Sequence, residues 1–564
     1  MSFLLPESPP SPAGPAGAAA RRPGDGLRRR GRAAGAAALL LAASLLAAAC
    51  GGGGGGGGST ASGTPAGTRS DTLIYAMDTS DAVSLDPAVA YESTSVFVAH
   101  QAYSTLVTFR GSDLTKPVGD LAESWQVSSD GKVWTFHLKS GLRFANGDPL
   151  TAGDVAYSFD RAVQLNQGPA WLLTQFGIAK GSTVATDDRT VQIHLAHAVS
   201  PNIFLSVLTF PVAAVVNPRE VQAHEKNGDM GQAWLNGHSA GSGPYVLTGW
   251  QREAQITLEA NPNYYGEKPA MKTVLIKHMP ETTNQLTALQ RGDIDIAHNL
   301  SPDQLRSLQG AQDVQVVDGL NLGLVYLGMN AGMAPFDKKE VRQAVRYAID
   351  YEGLIQEIVQ GHAIPVQGIE PSGIPGFDPE RPYAYDPAKA KELLRAAGAS
   401  DVTVDLLAPT GPDPTGADYG DIAAKVKNDL EQVGIHVNVQ QMTQAALLAK
   451  YRAQEAQMVL MGWFPDYPDP DANAQAMGVY ENKELAYRLR YKNDQVAALV
   501  RQAAAESDAA RREALYRQIN QMMMEDGPFA VLYQPKKSVA MRADIEGYAY
   551  NPQWTVDLAA IRRK

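Results

Sequence analysis

One cysteine stands among 564 residues. No internal disulfide can form, so the fold must be held by burial of apolar surface. Beyond residue 49 no run is apolar enough to span a bilayer. No G-x-x-x-x-G-K-[ST] loop is present to cradle a nucleotide phosphate. The ten histidines include no H-E-x-x-H pair, so neither a resident metal nor a cofactor is expected. Positive charge is scarce as well. The chain carries −11, and residues 1–49 hold six arginines against two acids, so the remainder carries −15. That balance argues against nucleic acid as a partner and suits cationic or zwitterionic ligands.

What is present begins with that lone thiol. Arg28, Arg29, Arg30 and Arg32 precede an apolar, alanine-rich run from Ala33 to Ala49, then Cys50, then glycines from Gly51 to Gly58. A basic region, an apolar region and small residues before a break form a secretory signal. A cysteine at the break resembles the lipobox of bacterial lipoproteins, although Leu46 sits one position earlier than is usual there. The expectation is a signal peptide at 1–49 and a lipidated Cys50, followed by a Gly-rich flexible tether to residue 70. A plain signal peptide and a single spanning anchor are the blander readings of the same run.

The 494 residues that follow are enough for several structural units. Thr72–Met77 reads as a strand and Tyr91–Phe109 as a helix. Alternating runs at Trp125–Val127, Val133–Leu138 and Val191–Leu195 read as hairpin strands. Thr151 and Asp154 open a helix with a capping pair. Tyr245–Leu247, Ile256–Leu258, Val274–Ile276 and Val325–Met329 are further strands, and Lys338–Gln360 reads as one helix. From Val402 the pattern is β-α-β-α-β, which implies a mostly parallel sheet covered by helices. A last helix, about Arg511–Met524, leads into Phe529–Tyr533. The fold class is therefore α/β, with one region before about residue 330, another after it, and a hairpin-rich insertion between.

Several blocks, in order and at matching spacing, resemble family 5 solute-binding proteins of ABC transporters, the oligopeptide, dipeptide and nickel group. They include Ser84-Leu-Asp-Pro87, Leu121-Ala-Glu-Ser-Trp125, Gly141-Leu-Arg-Phe144, Asp154-Val-Ala-Tyr-Ser-Phe159, Gly241-Ser-Gly-Pro-Tyr245, Val341-Arg-Gln-Ala-Val-Arg-Tyr-Ala-Ile-Asp350 and Gly462-Trp-Phe-Pro-Asp-Tyr-Pro-Asp-Pro470. The resemblance spans about 71–564. It implies a two-lobed periplasmic-binding-protein clamshell with an extra subdomain on the first lobe. Lobe 1 would comprise 71–109, 240–330 and 531–564, with the subdomain at 110–239. Lobe 2 would be 331–530. The implied role is capture of a peptide in the cleft and delivery to a membrane permease, with the ATPase on another chain. The protein would work as a monomer held by lipid outside the cytoplasm.

In peptide-binding members the aspartate matching Asp466 meets the ligand ammonium, and a buried ammonium is worth burying only when paired. Trp463 and Tyr467 flank it, and Tyr91, Glu92 and Ser93 would line the cleft from the other lobe. The family's dipeptide binders hold the ligand carboxylate with an arginine before a lobe 2 helix. The corresponding stretch here, Ala408–Ala417, has no basic residue. That departure points to peptides of three or more residues. A sugar, a nickel chelate, a siderophore-like ligand and a captured peptide signal remain alternatives.

From another class, Gly237-His-Ser-Ala-Gly241 matches the G-x-S-x-G elbow of serine hydrolases. The elbow needs a strand before it and a helix after it, and Ser242-Gly-Pro244 cannot start one. Asp469-Pro-Asp-Ala-Asn473 opens like a calcium loop but lacks that loop's glycine and closing glutamate. The chain is expected not to be an enzyme.

Overall fold

The computed structural model describes residues 71–564. The signal peptide, Cys50 and the tether expected at 1–70 lie outside the described residues.

A single path of strands runs through both halves of the molecule. In the first half Thr72–Met77 lies parallel to Thr273–His278 and to Ile296–Ala297, and Gln255–Ala260 and Tyr245–Gln251 extend the sheet antiparallel. Buried Leu73, Tyr75, Ile256, Val274 and Ile276 form the core of one face, packed on Phe97 and Val98 of the helix Ser93–Ala102. In the second half Val402–Pro409 lies parallel to both Ile435–Met442 and Met458–Trp463, the β-α-β-α-β pattern expected from sequence. Leu324–Met329 then pairs antiparallel with Met458–Trp463.

Two segments carry the chain between the halves. Phe529–Arg542 is one long strand that changes partners along its length. Its first part, Phe529–Tyr533, pairs with Leu324–Met329, and Lys536–Arg542 pairs with Val314–Leu320. Between these stretches stands Pro535, which has no N–H to give a ladder. The Gln534 side chain is fully buried there and donates to the carbonyls of Asn321 and Ser372 at 2.7 and 2.9 Å. Leu324–Met329, which the sequence reading leaves in the first lobe, is thus bonded along its whole length to strands of the second half.

The insertion builds a four-stranded antiparallel sheet from Ala122–Val127, Val133–Leu138, Thr190–His194 and Thr183–Asp187. Trp134, Phe136, Phe159, Leu172 and Phe204 fill its core. The helix Ala152–Leu165 covers it, and Asp154 Oδ2 accepts from the Thr151 N–H at 2.7 Å. Several sequence blocks now have physical causes. Asp86 of the Ser84–Pro87 block forms a buried two-point ion pair with Arg161 at 2.8 and 2.5 Å. Arg143 donates to the Gly147 carbonyl at 2.7 Å across a turn where Gly147 has φ +91°.

Two expected helices are shorter. The first spans Ser93–Ala102, and residues from Val107 are already extended. The expected Lys338–Gln360 helix breaks after Ala348, because Asp350 caps a new turn, accepting from the Gly353 N–H at 2.9 Å. An aspartate inside an apolar helical pattern competes with the backbone for such bonds.

Candidate functional site

The parallel strands of each half end toward the other half. In open α/β sheets ligands bind beyond these carboxyl ends. From the second half, Met458–Trp463 gives way to the turn Phe464–Asp469 and the helix Pro470–Gly478. From the first half, Thr72–Met77 leads through residues 78–92 to the helix Ser93–Ala102.

The turn is braced from behind. Arg512 grips Asp469 at two points, 2.9 and 2.5 Å, both side chains being buried. Tyr516 and Tyr467 donate to Asp471 at 3.0 and 2.9 Å. The Trp463 indole N–H donates to Asn473 Oδ1 at 2.8 Å. These bonds fix the backbone on which Asp466 stands. They also turn Tyr467 and the polar edge of Trp463 back toward the helix Pro470–Gly478, away from Asp466. Burial and the charge of Asp469 push the Asp471 carboxyl up to about 6.

Asp466 faces the first half. The Tyr91 hydroxyl donates to Asp466 Oδ1 at 3.1 Å, and the Trp171 indole N–H donates to the Tyr91 oxygen at 3.1 Å. Trp171 belongs to the insertion, so three remote parts of the chain meet at one point. Burial, reinforced by the charge of Glu484, raises the Asp466 carboxyl to about 7, against the pull of the Tyr91 bond. Glu484 is itself raised by burial, with the Arg488 charge opposing. Among the described residues no lysine, arginine or histidine nitrogen lies within 4.0 Å of either carboxylate. Two carboxylates therefore share a desolvated region without a cation to pair them.

Of the residues singled out from sequence, the structure brings Tyr91 and Asp466 into direct contact. Glu92 and Ser93 sit at the start of the adjoining helix, partly buried, and burial lifts the Glu92 carboxyl. No hydrogen bond joins them to Asp466. Trp171 and Glu484 were not anticipated. Trp171 follows a Gly-Pro-Ala turn and Glu484 follows a short 3-10 turn, and neither stands in a motif.

The G-x-S-x-G serine lies elsewhere. Ser239 lines a separate hollow of about 400 Å³ with Trp234, His238 and Leu247, and its Oγ accepts from the Leu247 N–H at 2.9 Å. A strand starting at Tyr245 follows it, where an elbow needs a helix. Asp469, which opens the calcium-like run, is taken up by Arg512.

Residues 116–484 match the family described as bacterial extracellular solute-binding proteins, family 5. The chain belongs to this family. It is 31% identical to the probable D,D-dipeptide-binding periplasmic protein DdpA of Escherichia coli K12, over 84% of this chain and 90% of that one. It is 28% identical to the di/tripeptide-binding protein 2 of Pseudomonas aeruginosa, over 85% and 92%. Among solved structures, the periplasmic binding protein DppA of Helicobacter pylori in complex with the peptide STSA superposes with a TM-score of 0.72 at 26% identity. That match covers 87% of this chain and 98% of the other. The fold is thus the two-lobed clamshell of family 5, and its relatives are binding proteins. Among the described residues no helix is long and apolar enough to cross a membrane.

Proposed function

We propose that the chain is the solute-capturing component of an ABC importer, holding a short peptide by its free amino terminus. One observation carries this reading: Asp466, half-buried beside Glu484, faces the opposite half with no cation paired to it. A peptide ammonium supplies the missing charge, and a carboxylate receives it through charge-assisted bonds. The relatives named for dipeptides, di/tripeptides and the STSA complex support peptide as the ligand class. Their named ligands run from dipeptides to the four-residue STSA, a range that includes the three or more residues expected from the 408–417 stretch.

In this reading the halves close by rotation about two short crossings, Asn321–Gly323 and Gln534–Pro535. The closed form is what a membrane permease, coupled to a separate ATPase, would recognise. The protein works as a monomer and catalyses no reaction. Cys50 carries the lipid that keeps it at the outer face of the cell membrane. Cys50→Ser is expected to move the protein from the membrane fraction to the soluble one, and retention in the membrane would refute the anchor.

Native mass spectrometry of the full chain, purified gently from a rich medium, tests the ligand class. Added masses matching short peptides are expected. Asp466→Ala should weaken peptide binding by about 2–5 kcal/mol, the loss typical of one partner of a buried charge pair. A single non-peptide mass, or equal affinity for N-acetylated peptides, overturns the assignment.

A further inference from the structure

We infer that the turn Gln360–His362 is a strap across the hinge, which holds the halves together and so sets ligand affinity from outside the cleft. This rests on the capture reading above.

The turn belongs to the second half. Leu354, Ile355, Val359 and Ala363, on either side of it, lie in the core of that half. Ala363 and Ile364 then pair with Pro535 and Gln534, where the long strand passes from one half to the other. Gln360 and Gly361 both take left-handed backbone, φ +53° and +82°. That region is uncommon for a residue with a side chain. Two such residues in succession reverse the chain and carry it past the pivot.

Beyond the pivot the turn is bonded to residues that move with the first half. The Lys536 N–H donates to the His362 carbonyl at 2.9 Å, and Lys536 Nζ donates to the Gly361 carbonyl at 3.3 Å. Gln360 Nε2 donates to Asp303 Oδ1 at 2.7 Å. His362 Nδ1 meets Ser538 Oγ at 2.8 Å, and Ser538 Oγ donates to Asp318 at 2.6 Å.

The last pair of bonds forms a relay. Asp318 and Ser538 face each other across the ladder of Val314–Leu320 with Lys536–Arg542, so they move as one body. A hydroxyl has one hydrogen and a carboxylate only accepts. Ser538 therefore gives its hydrogen to Asp318 and takes another from His362 Nδ1. One end of the relay is fixed to the first half and the other to the second. His362 lies beside the pivot and Ser538 beyond it, so rotation at Gln534–Pro535 changes the distance that the relay spans.

The relay is intact in a structure where Tyr91 and Asp466 touch across the gap. The strap is thus made in the closed arrangement. Ligand is held by that arrangement, and apparent affinity falls with the fraction of molecules that adopt it. Side chains that never touch the ligand then tune how tightly it is held.

The test uses the full chain. Backbone amide exchange is followed in the unliganded protein at Ser200, whose N–H bonds the Ala504 carbonyl on the far side of the gap. Calorimetry gives Kd for dialanine, trialanine and tetraalanine. Ser538→Ala and His362→Leu should each speed exchange at Ser200 and raise Kd, both by about tenfold, the loss of one hydrogen bond to a charged group. His362→Asn keeps an N–H near the place of Nδ1 and should return both readings toward wild type. The double variant Ser538→Ala/His362→Leu should be little worse than either single one, since the relay breaks only once. A purely local role would leave Ser200 untouched. Unchanged exchange at Ser200 in Ser538→Ala, or a higher Kd without faster exchange there, overturns the inference. A wild type that binds none of the peptides overturns the peptide reading, and exchange at Ser200 still decides the strap. Should His362→Leu fail to fold, Ser538→Ala decides.

Discussion

A carboxylate that titrates near neutrality couples binding to proton release. Asp466 is raised to about 7 in the unliganded cleft, by burial first and by Glu484 second. An ammonium needs the ionised form. Below that pKa the free site holds a proton which the ligand must displace, so Kd should rise by about tenfold per pH unit as pH falls, and level off above it. Calorimetry across this range checks the slope, and Asp466→Asn should bind weakly and flatly. A wild-type Kd that is flat through neutrality would refute the coupling. Asp466 and Tyr91 were singled out from the family resemblance, and their contact with each other is visible only in the fold. Glu484 and Trp171 were not, because they come from unrelated segments and only the tertiary fold brings them beside Asp466 and Tyr91.

Among elements, the turn Phe464–Asp469 is held on two sides. Arg512 and Tyr516 hold it from behind, and from the front it touches the first crossing. A Cβ on Gly323 would come within 2.3 Å of Phe464 Cε1. Gly323→Ala must therefore push the Phe464 ring, and with it the turn that carries Asp466. Overpacking of this kind costs about 1–3 kcal/mol. The expected outcome is a lower melting temperature together with a loss of peptide affinity of about tenfold, and a variant that changes neither would show that the turn has slack. The elements themselves were largely readable. The β-α-β-α-β run from Val402 has strands and helices in the expected order, because apolar periodicity and turn residues agree there. The helix expected over Lys338–Gln360 was misread because its apolar period continues past Ala348. The aspartate at 350 decides the break, by capping a second turn.

For the molecule as a whole, the division into halves was visible in sequence but its seam was not. The sequence reading splits the chain near residue 330, whereas the pairing changes hands at Asn321–Gly323 and again at Gln534–Pro535. The sequence marks Phe529–Tyr533 as extended; it carries no record of which strand lies alongside, nor that the strand runs on to Arg542. Contacts across the gap include an apolar cluster, in which Tyr467 and Ala472 of the second half join the core of the insertion, and several hydrogen bonds. Tyr91 meets Asp466, and Gln360 Nε2 donates to Asp303 at 2.7 Å. At the far side the N–H of Ser200, in the insertion, donates to the Ala504 carbonyl at 3.1 Å.

That last bond joins main chain to main chain. Neither of its atoms belongs to a side chain, so no substitution in the lining of the cleft abolishes it directly. What the cleft holds is written in side chains such as Asp466, open to revision one codon at a time. This part of how the two doors latch is written in the backbone, so a change of cleft side chains that alters the ligand leaves both of its atoms in place.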